Sequence, residues 1–442
     1  MMLKKYKIKE LQLQNGLTVF YCHTPDLVSF ETSIHINTGA RDETKKTTGI
    51  SHFLEHMMFR GSNKYPNSRL LAFAMEGFGG ETNAMTGIDN TNYWIKGDAE
   101  KTLEAIECFS YFFLQPNYAD LDIERHVILQ EMASDFNEEG LSVDTESLGM
   151  STLFSEHPLG NSIIGSEDSI KNMGIDELEN KRKTFYIPSN CVITIQTSFS
   201  EEIVKTQIEK YFAHEWDYAN KTILPRLSAL NCIPNKKDLR KSQNMFCLQN
   251  NPDNQFAMKV IFPCHGNLSK NIVNITFLQR ILDDGICTRL PAIIREKFGL
   301  VYDISCDTQF FQEVGTFSVD ATVSEEYLTD LLEKLGKELR SILIEKPLED
   351  EIEHIKYRYI FDLKQIQETP SRLLSRKVTE HFMKSEFSIE EELEYVNSIN
   401  SEMILQTVKS IFGAGRRAFV LVGPKARKKR ELVEKFLSNF DI

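Results

Sequence analysis

The chain has 442 residues, 41% of them hydrophobic and 26% charged, which is the balance of a globular protein and more length than one ordinary domain needs. A net charge of −13 argues against general nucleic-acid binding. No run approaches the roughly 18 uninterrupted apolar residues of a membrane span.

Met1 to Glu10 carries lysines with no apolar stretch behind them, so it does not read as a secretory signal. Thr18-Val19-Phe20-Tyr21 reads as a strand. His52-Phe53-Leu54-Glu55-His56 follows and carries the chemistry. On a helix, two histidines four apart lie about 40° apart around the axis, so both imidazoles can reach one metal ion. Glu55 shares that face and can hold and deprotonate a water there. The order H-x-x-E-H is the inverse of the commoner zinc helix. Arg60-Gly61-Ser62 stops the helix.

Gly77 to Thr86 is glycine-rich and then strand-like. An exposed edge there would offer the backbone of Asn83 and Ala84 to an extended peptide beside the metal. A hairpin inside the sheet is the plainer alternative. Ala99 to Ile106 predicts a helix, as does Ile123 to Glu131. A tetrahedral catalytic zinc takes three protein ligands and keeps one position open. Glu131 supplies the third ligand, and Glu124 stands two helical turns before it on the same stripe. The residues therefore predict one zinc ion per chain on His52, His56 and Glu131, with Glu55 as general base. His157, followed by Pro158, reads as a loop cap.

An internal repeat runs through the chain. His52 to Gly61 matches Thr276 to Gly285, with Phe-Leu and the closing glycine in register and the chemical positions changed to Thr276, Gln279 and Arg280. Cys191 to Ile195, with the helix from Glu201, matches Phe419 to Val422, with the helix from Lys429. The expectation is an α+β protein of two homologous domains, each an antiparallel-rich sheet with helices on one face. Residues 1–222 form the metal-binding domain, 223–238 a linker rich in Pro, Asn and Lys, and 239–442 a non-metallated domain. Eight scattered cysteines without a C-x-x-C pair suit reduced thiols and a cytoplasmic protein. Lys425 to Arg430 reads as a solvated helix start, and Glu391-Glu392 as surface.

With these features in place, the chain resembles the pitrilysin family of inverted-motif zinc metallopeptidases, which includes insulin-degrading enzyme and mitochondrial processing peptidase. The resemblance rests on the zinc helix and its continuation Met57-Met58-Phe59-Arg60-Gly61-Ser62. It rests also on Asn83-Ala84-Met85-Thr86 with Thr91-Asn92-Tyr93, His157-Pro158-Leu159-Gly160, Tyr186 to Asn190, and Leu290 to Tyr302. It implies that Glu124 orients the site without ligating, and that Arg295 and Tyr302 grip the substrate backbone. Pro291 must begin or kink the helix that carries Arg295.

The resemblance implies a zinc endopeptidase acting on unfolded peptides or precursor segments. Long members carry four such domains, so a two-domain chain implies a homodimer, or a heterodimer with a related metal-free subunit. A leader-peptide maturation protease is the narrower version. A non-catalytic peptide-binding or scaffold subunit is the rival of another class, and the intact Glu55 disfavours it. Neither nucleic acid nor membrane is expected as a partner.

Overall fold

The computed structural model describes residues 6–155, 157–213, 216, 223, 225–228, 243–266, 270–385, 387–413 and 415–441. Most of the expected linker 223–238 lies outside them. The chain forms two compact units. The first holds Met1–Met132, Asn161–Arg226 and Lys364–Phe382; the second holds Ala133–Gly160, Leu227–Leu363 and Met383–Ile442. The halves 1–222 and 239–442 each supply the bulk of one unit, but each also lends a helical segment to the other, so the units are not the two self-contained stretches expected.

The first unit contains strands β1 (Ile8–Gln12), β2 (Thr18–His23), β3 (Ser29–Ile36), β4 (Glu81–Thr86), β5 (Thr91–Asp98) and β6 (Cys191–Thr197). They form one sheet in the order β1-β2-β6-β3-β5-β4. The second unit contains β7 (Gln243–Asn250), β8 (Gln255–His265), β9 (Ile304–Phe310), β10 (Val314–Ser324) and β11 (Arg416–Gly423), in the order β7-β11-β8-β10-β9. In each sheet one pair is parallel, β2 with β6 and β7 with β11, and every other pair is antiparallel.

The duplication is exact at the level of register. Ile34 of β3 pairs with Tyr93 of β5 and Ile193 of β6, while Val260 of β8 pairs with Val319 of β10 and Phe419 of β11. A single offset of 226 relates all three positions, between the 224 and 227 read from sequence.

Period-two alternation puts Ile34, Tyr93 and Ile193 on a face covered by helices. The rings of Tyr93, Phe112, Phe113 and Tyr186 pack there, with the Phe113 and Tyr186 rings 5.4 Å apart. Phe20, Cys22 and Val192 point to the opposite face, where Leu374 and Val378 of helix Pro370–Met383 bury them. The second sheet is built alike. Phe262, Phe317, Phe412 and Phe440 form its core, and helix Thr145–Leu153 covers the other face. A Cβ on Gly149 of that helix would stand 3.0 Å from Lys259 Cδ, which sets the close approach. Each sheet thus has the expected helical layer on one face and, in addition, a helix from the other half of the chain on the second face.

Glu392 departs from its expected surface role. It is buried and accepts a 2.6 Å bond from the Tyr359 hydroxyl. It lies in the first turn of helix Ile389–Ser398, where the hydroxyl satisfies the carboxylate; Glu391 stays exposed and completes the capping box with Ser388.

Candidate metal centre

The histidine helix spans Ile50–Met58. Phe53, Leu54, Met57 and Met58 are fully buried and fix its orientation, leaving His52, Glu55 and His56 half-buried on the remaining stripe. Gly49 starts it with φ of 86°, and Gly61, just beyond its end, has φ of 141°. The second helix, Leu121–Ser134, buries Glu124, Ile128 and Met132 at intervals of four. Arg125 ties the two together, donating to the carbonyls of Ile170 and Met173 with its guanidinium over the Phe53 ring.

His52, His56 and Glu131 converge. Glu131 Oε1 stands 3.7 Å from His52 Nε2, and its Oε2 stands 3.5 Å from His56 Nε2. One ligand atom from each of the three lies within 4.8 Å of the others. A tetrahedral shell with bonds of about 2.0–2.2 Å separates ligand atoms by roughly 3.3–3.6 Å, so these residues fit a zinc ion with small side-chain adjustment. The donor set, two imidazoles and a carboxylate with room for a fourth ligand, is that of a catalytic zinc.

Glu124 stands outside this cluster. His56 Nδ1 and Glu124 Oε1 are 2.7 Å apart, and Arg60 reaches both Glu124 (3.3 Å) and Asp120 (2.6 Å). A proton on Nδ1 shared with Glu124 leaves the His56 Nε2 lone pair for the metal. His52 Nδ1 is buried and finds no partner among the described residues, so packing alone orients that ring.

The electrostatics of the two histidines differ. Burial, helped by His56, lowers His52 to about 4, which keeps it neutral. Burial also pulls His56 down, but Glu124, Glu131 and Glu55 outweigh it and raise the net value. Glu55 is raised, chiefly by burial, against the hydrogen bond donated by Thr86.

Thr86 ends β4, which is an edge strand of its sheet. Asn83 and Ala84 lie on it, paired with Trp94 and Tyr93 of β5. The edge alternative therefore holds over the interior hairpin. Arg295 and Tyr302 belong to the second unit, where the guanidinium sits 5.6 Å from the ring centre and Tyr302 is 88% exposed. Pro291 stands at the start of the wide-turned helix Pro291–Lys297. Tyr302, Asp303, Ser305 and Asp320 line a cavity of about 600 Å³. In the repeat, Gln279 bonds the carbonyls of Asp283 and Cys306, and Arg280 pairs with Asp362.

Arg60 and Thr86 were read from sequence only as a helix stop and a strand residue, and Glu43 not at all. Glu43 is buried and accepts from the backbone N–H of Gly49 (2.7 Å) and Ser51 (2.9 Å) at the start of the histidine helix. Its signal is the run Arg41-Asp42-Glu43, three charges in a row a few residues after β3, which would ordinarily mark an exposed loop.

Comparison with known proteins agrees with this geometry. Residues 18–167 match the model of Insulinase (Peptidase family M16), and residues 172–359 match that of the Peptidase M16 inactive domain. A Bacillus subtilis protein named "Uncharacterized zinc protease YmxG" is 23% identical over 92% of this chain and 96% of its own length. A Rickettsia bellii protein, also named an uncharacterized zinc protease, is 25% identical over 93% and 97%. Among solved structures, a protease from Helicobacter pylori shares the fold with a TM-score of 0.84 at 17% identity, covering 95% of this chain and all of its own. A Pseudomonas fluorescens structure described as a peptidase M16 inactive domain shares it at 0.82 and 15% identity, covering 95% and 98%. With both of its halves matched and its two sheets built to one plan, the chain belongs to peptidase family M16.

Proposed function

We propose that this chain is a zinc-dependent endopeptidase that hydrolyses peptide bonds in unfolded peptides or precursor segments. The observation that carries the reading is the convergence of His52, His56 and Glu131 on one point, with Glu55 on the same helix face. Zinc held there supplies Lewis acidity and makes water acidic enough to react near neutral pH. Glu55 accepts the proton of the attacking water and delivers it to the departing amine; its raised affinity for protons suits both tasks. Thr86 holds the Glu55 carboxylate, and the Glu124–Arg60 pair holds His56.

The free edge of β4 supports substrate bound as an added strand along Asn83 and Ala84. Arg295 and the exposed Tyr302 are suited to hold the substrate backbone, the tyrosine hydroxyl stabilising the oxyanion. A second copy, or a related metal-free subunit, is the partner this reading carries; a monomer fully active at nanomolar concentration would sink that part. The free cysteines among the described residues support a reducing, cytoplasmic location.

The deciding experiment incubates an unstructured peptide panel with the purified protein, with and without chelator, beside Glu55→Gln, and reads the products by mass spectrometry. Cleavage should vanish with chelator and in Glu55→Gln, while Glu55→Gln keeps its metal. Cleavage that survives both treatments would refute the reading. Peptides retained but left uncut by a metal-loaded parent would favour a binding or scaffold subunit.

A further inference from the structure

We propose that Glu43 is a positioning residue of the metal centre: its carboxylate holds the first turn of the histidine helix and so sets where His52 and His56 stand. The inference rests on the zinc reading above. A helix start leaves backbone N–H groups without intrahelical partners, and a side chain at the capping position usually satisfies them. Here that position is Gly49, which has no side chain to offer. Nor could it carry one, because a Cβ there would fall 2.6 Å from the Ile164 carbonyl oxygen and 2.9 Å from Gly165 Cα. The cap comes instead from Glu43, whose two oxygens bridge Gly49 N–H and Ser51 N–H. His52 is the next residue. A slip of the first turn by one hydrogen bond would carry both imidazoles off the metal, which tolerates errors of only about 0.2 Å.

The loop that delivers Glu43 is anchored on the other side of the site. Ala40 N–H donates to Gly87 O (3.1 Å) and Arg41 N–H to Ile88 O (2.9 Å). Those acceptors directly follow Thr86, which holds Glu55. Asp42 pairs with Arg226 at 2.8 Å, and Arg41 with Asp89 at 3.4 Å. One short loop therefore braces both the ligand helix and the strand end that carries the support for the base. A carboxylate buried to 7% exposure is a costly way to cap a helix for stability alone. Lys181, which favours its ionised form, is itself buried with no hydrogen-bond partner at Nζ among the described residues.

The test compares the full-length parent with Glu43→Gln and Glu43→Ala. Three readouts are taken: zinc affinity by chelator competition, the visible spectrum of the cobalt-loaded protein, and the melting temperature of the metal-free form. Outer-sphere supports of metal ligands are typically worth 10- to 100-fold in affinity. Glu43→Ala should fall in that range with altered cobalt bands while folded at the assay temperature. Glu43→Gln, which keeps one acceptor oxygen and the same shape, should lie between it and the parent. A purely structural cap would lower the melting temperature and leave zinc affinity and cobalt spectrum within twofold of the parent, and that result overturns the proposal. Should Glu43→Ala fail to fold, the isosteric Glu43→Gln decides on the same two metal readouts. A parent that takes up neither metal sinks the zinc reading itself, and the role of Glu43 with it.

Discussion

His56 and His52 face the same candidate metal position and are oriented differently, one by a hydrogen-bonded carboxylate and the other by packing. Glu124→Gln replaces an acceptor oxygen with an amide and weakens the pull on the Nδ1 proton of His56. Zinc affinity should fall about 10- to 100-fold, with little change in melting temperature, as chelator competition would show; unaltered affinity would mean that Glu124 does not support the ligand. Glu43 carries a second consequence at this scale. Burial, against the pull of Lys181 and the two backbone N–H groups, pushes it up to about 7 from an ordinary 4.5. A carboxyl whose folded value is raised contributes stability below the unfolded value, and loses it as pH rises toward the folded one. The melting temperature of metal-free Glu43→Gln relative to parent should therefore climb by a few degrees between pH 5 and pH 8. A gap that is flat or moves the other way would place the ionised form at ease in its pocket.

The β4–β5 hairpin carries the support of Glu55 and the edge strand to which the proposed function assigns the substrate. Its entry is held tight by Gly80: a Cβ there would fall 1.9 Å from the Lys96 carbonyl oxygen and 2.8 Å from Gly97 Cα. Backbone atoms cannot yield as a flexible side chain would, so Gly80→Ala must push β4 away from β5. A loss of about 1–3 kcal/mol is expected in urea unfolding. Turnover should fall as well, because Thr86 at the far end of the same strand holds the Glu55 carboxylate. A variant as stable as the parent would show that the hairpin tolerates a wider entry.

Each sheet is finished by a helix from the other half of the chain, so neither half holds everything that its own unit needs. Residues 1–226 expressed alone would lack Lys364–Phe382 and expose Phe20, Cys22 and Val192. That fragment should bind the dye ANS and melt without a sharp transition, and a synthetic peptide of residues 364–382 should restore cooperativity. A cooperative fragment without the peptide would make the exchanged helix dispensable. Leu374→Ala in the full chain should cost the first unit about 2–5 kcal/mol, although residue 374 lies far along the second half.

The sequence by itself pointed to the candidate ligand set, to the proposed base and to the duplication. Each is written in local spacing: His52, Glu55 and His56 share a helix face because four residues make nearly one turn, and Glu124 and Glu131 share another by the same rule. Short runs such as Thr18 to Tyr21 and Cys191 to Ile195 announced strands, and the repeat of Phe-Leu and glycine announced the second domain. Only the tertiary structure decided which carboxylate supports which group. Glu43 and Thr86 act on the histidine helix from a loop and a strand that local periodicity does not connect to it. The buried place of Glu392 opposite Tyr359 and the exchange of helices between the units were hidden for the same reason. A charged side chain reads as surface until its partner is known, and an amphipathic helix shows that it needs a sheet without showing which one.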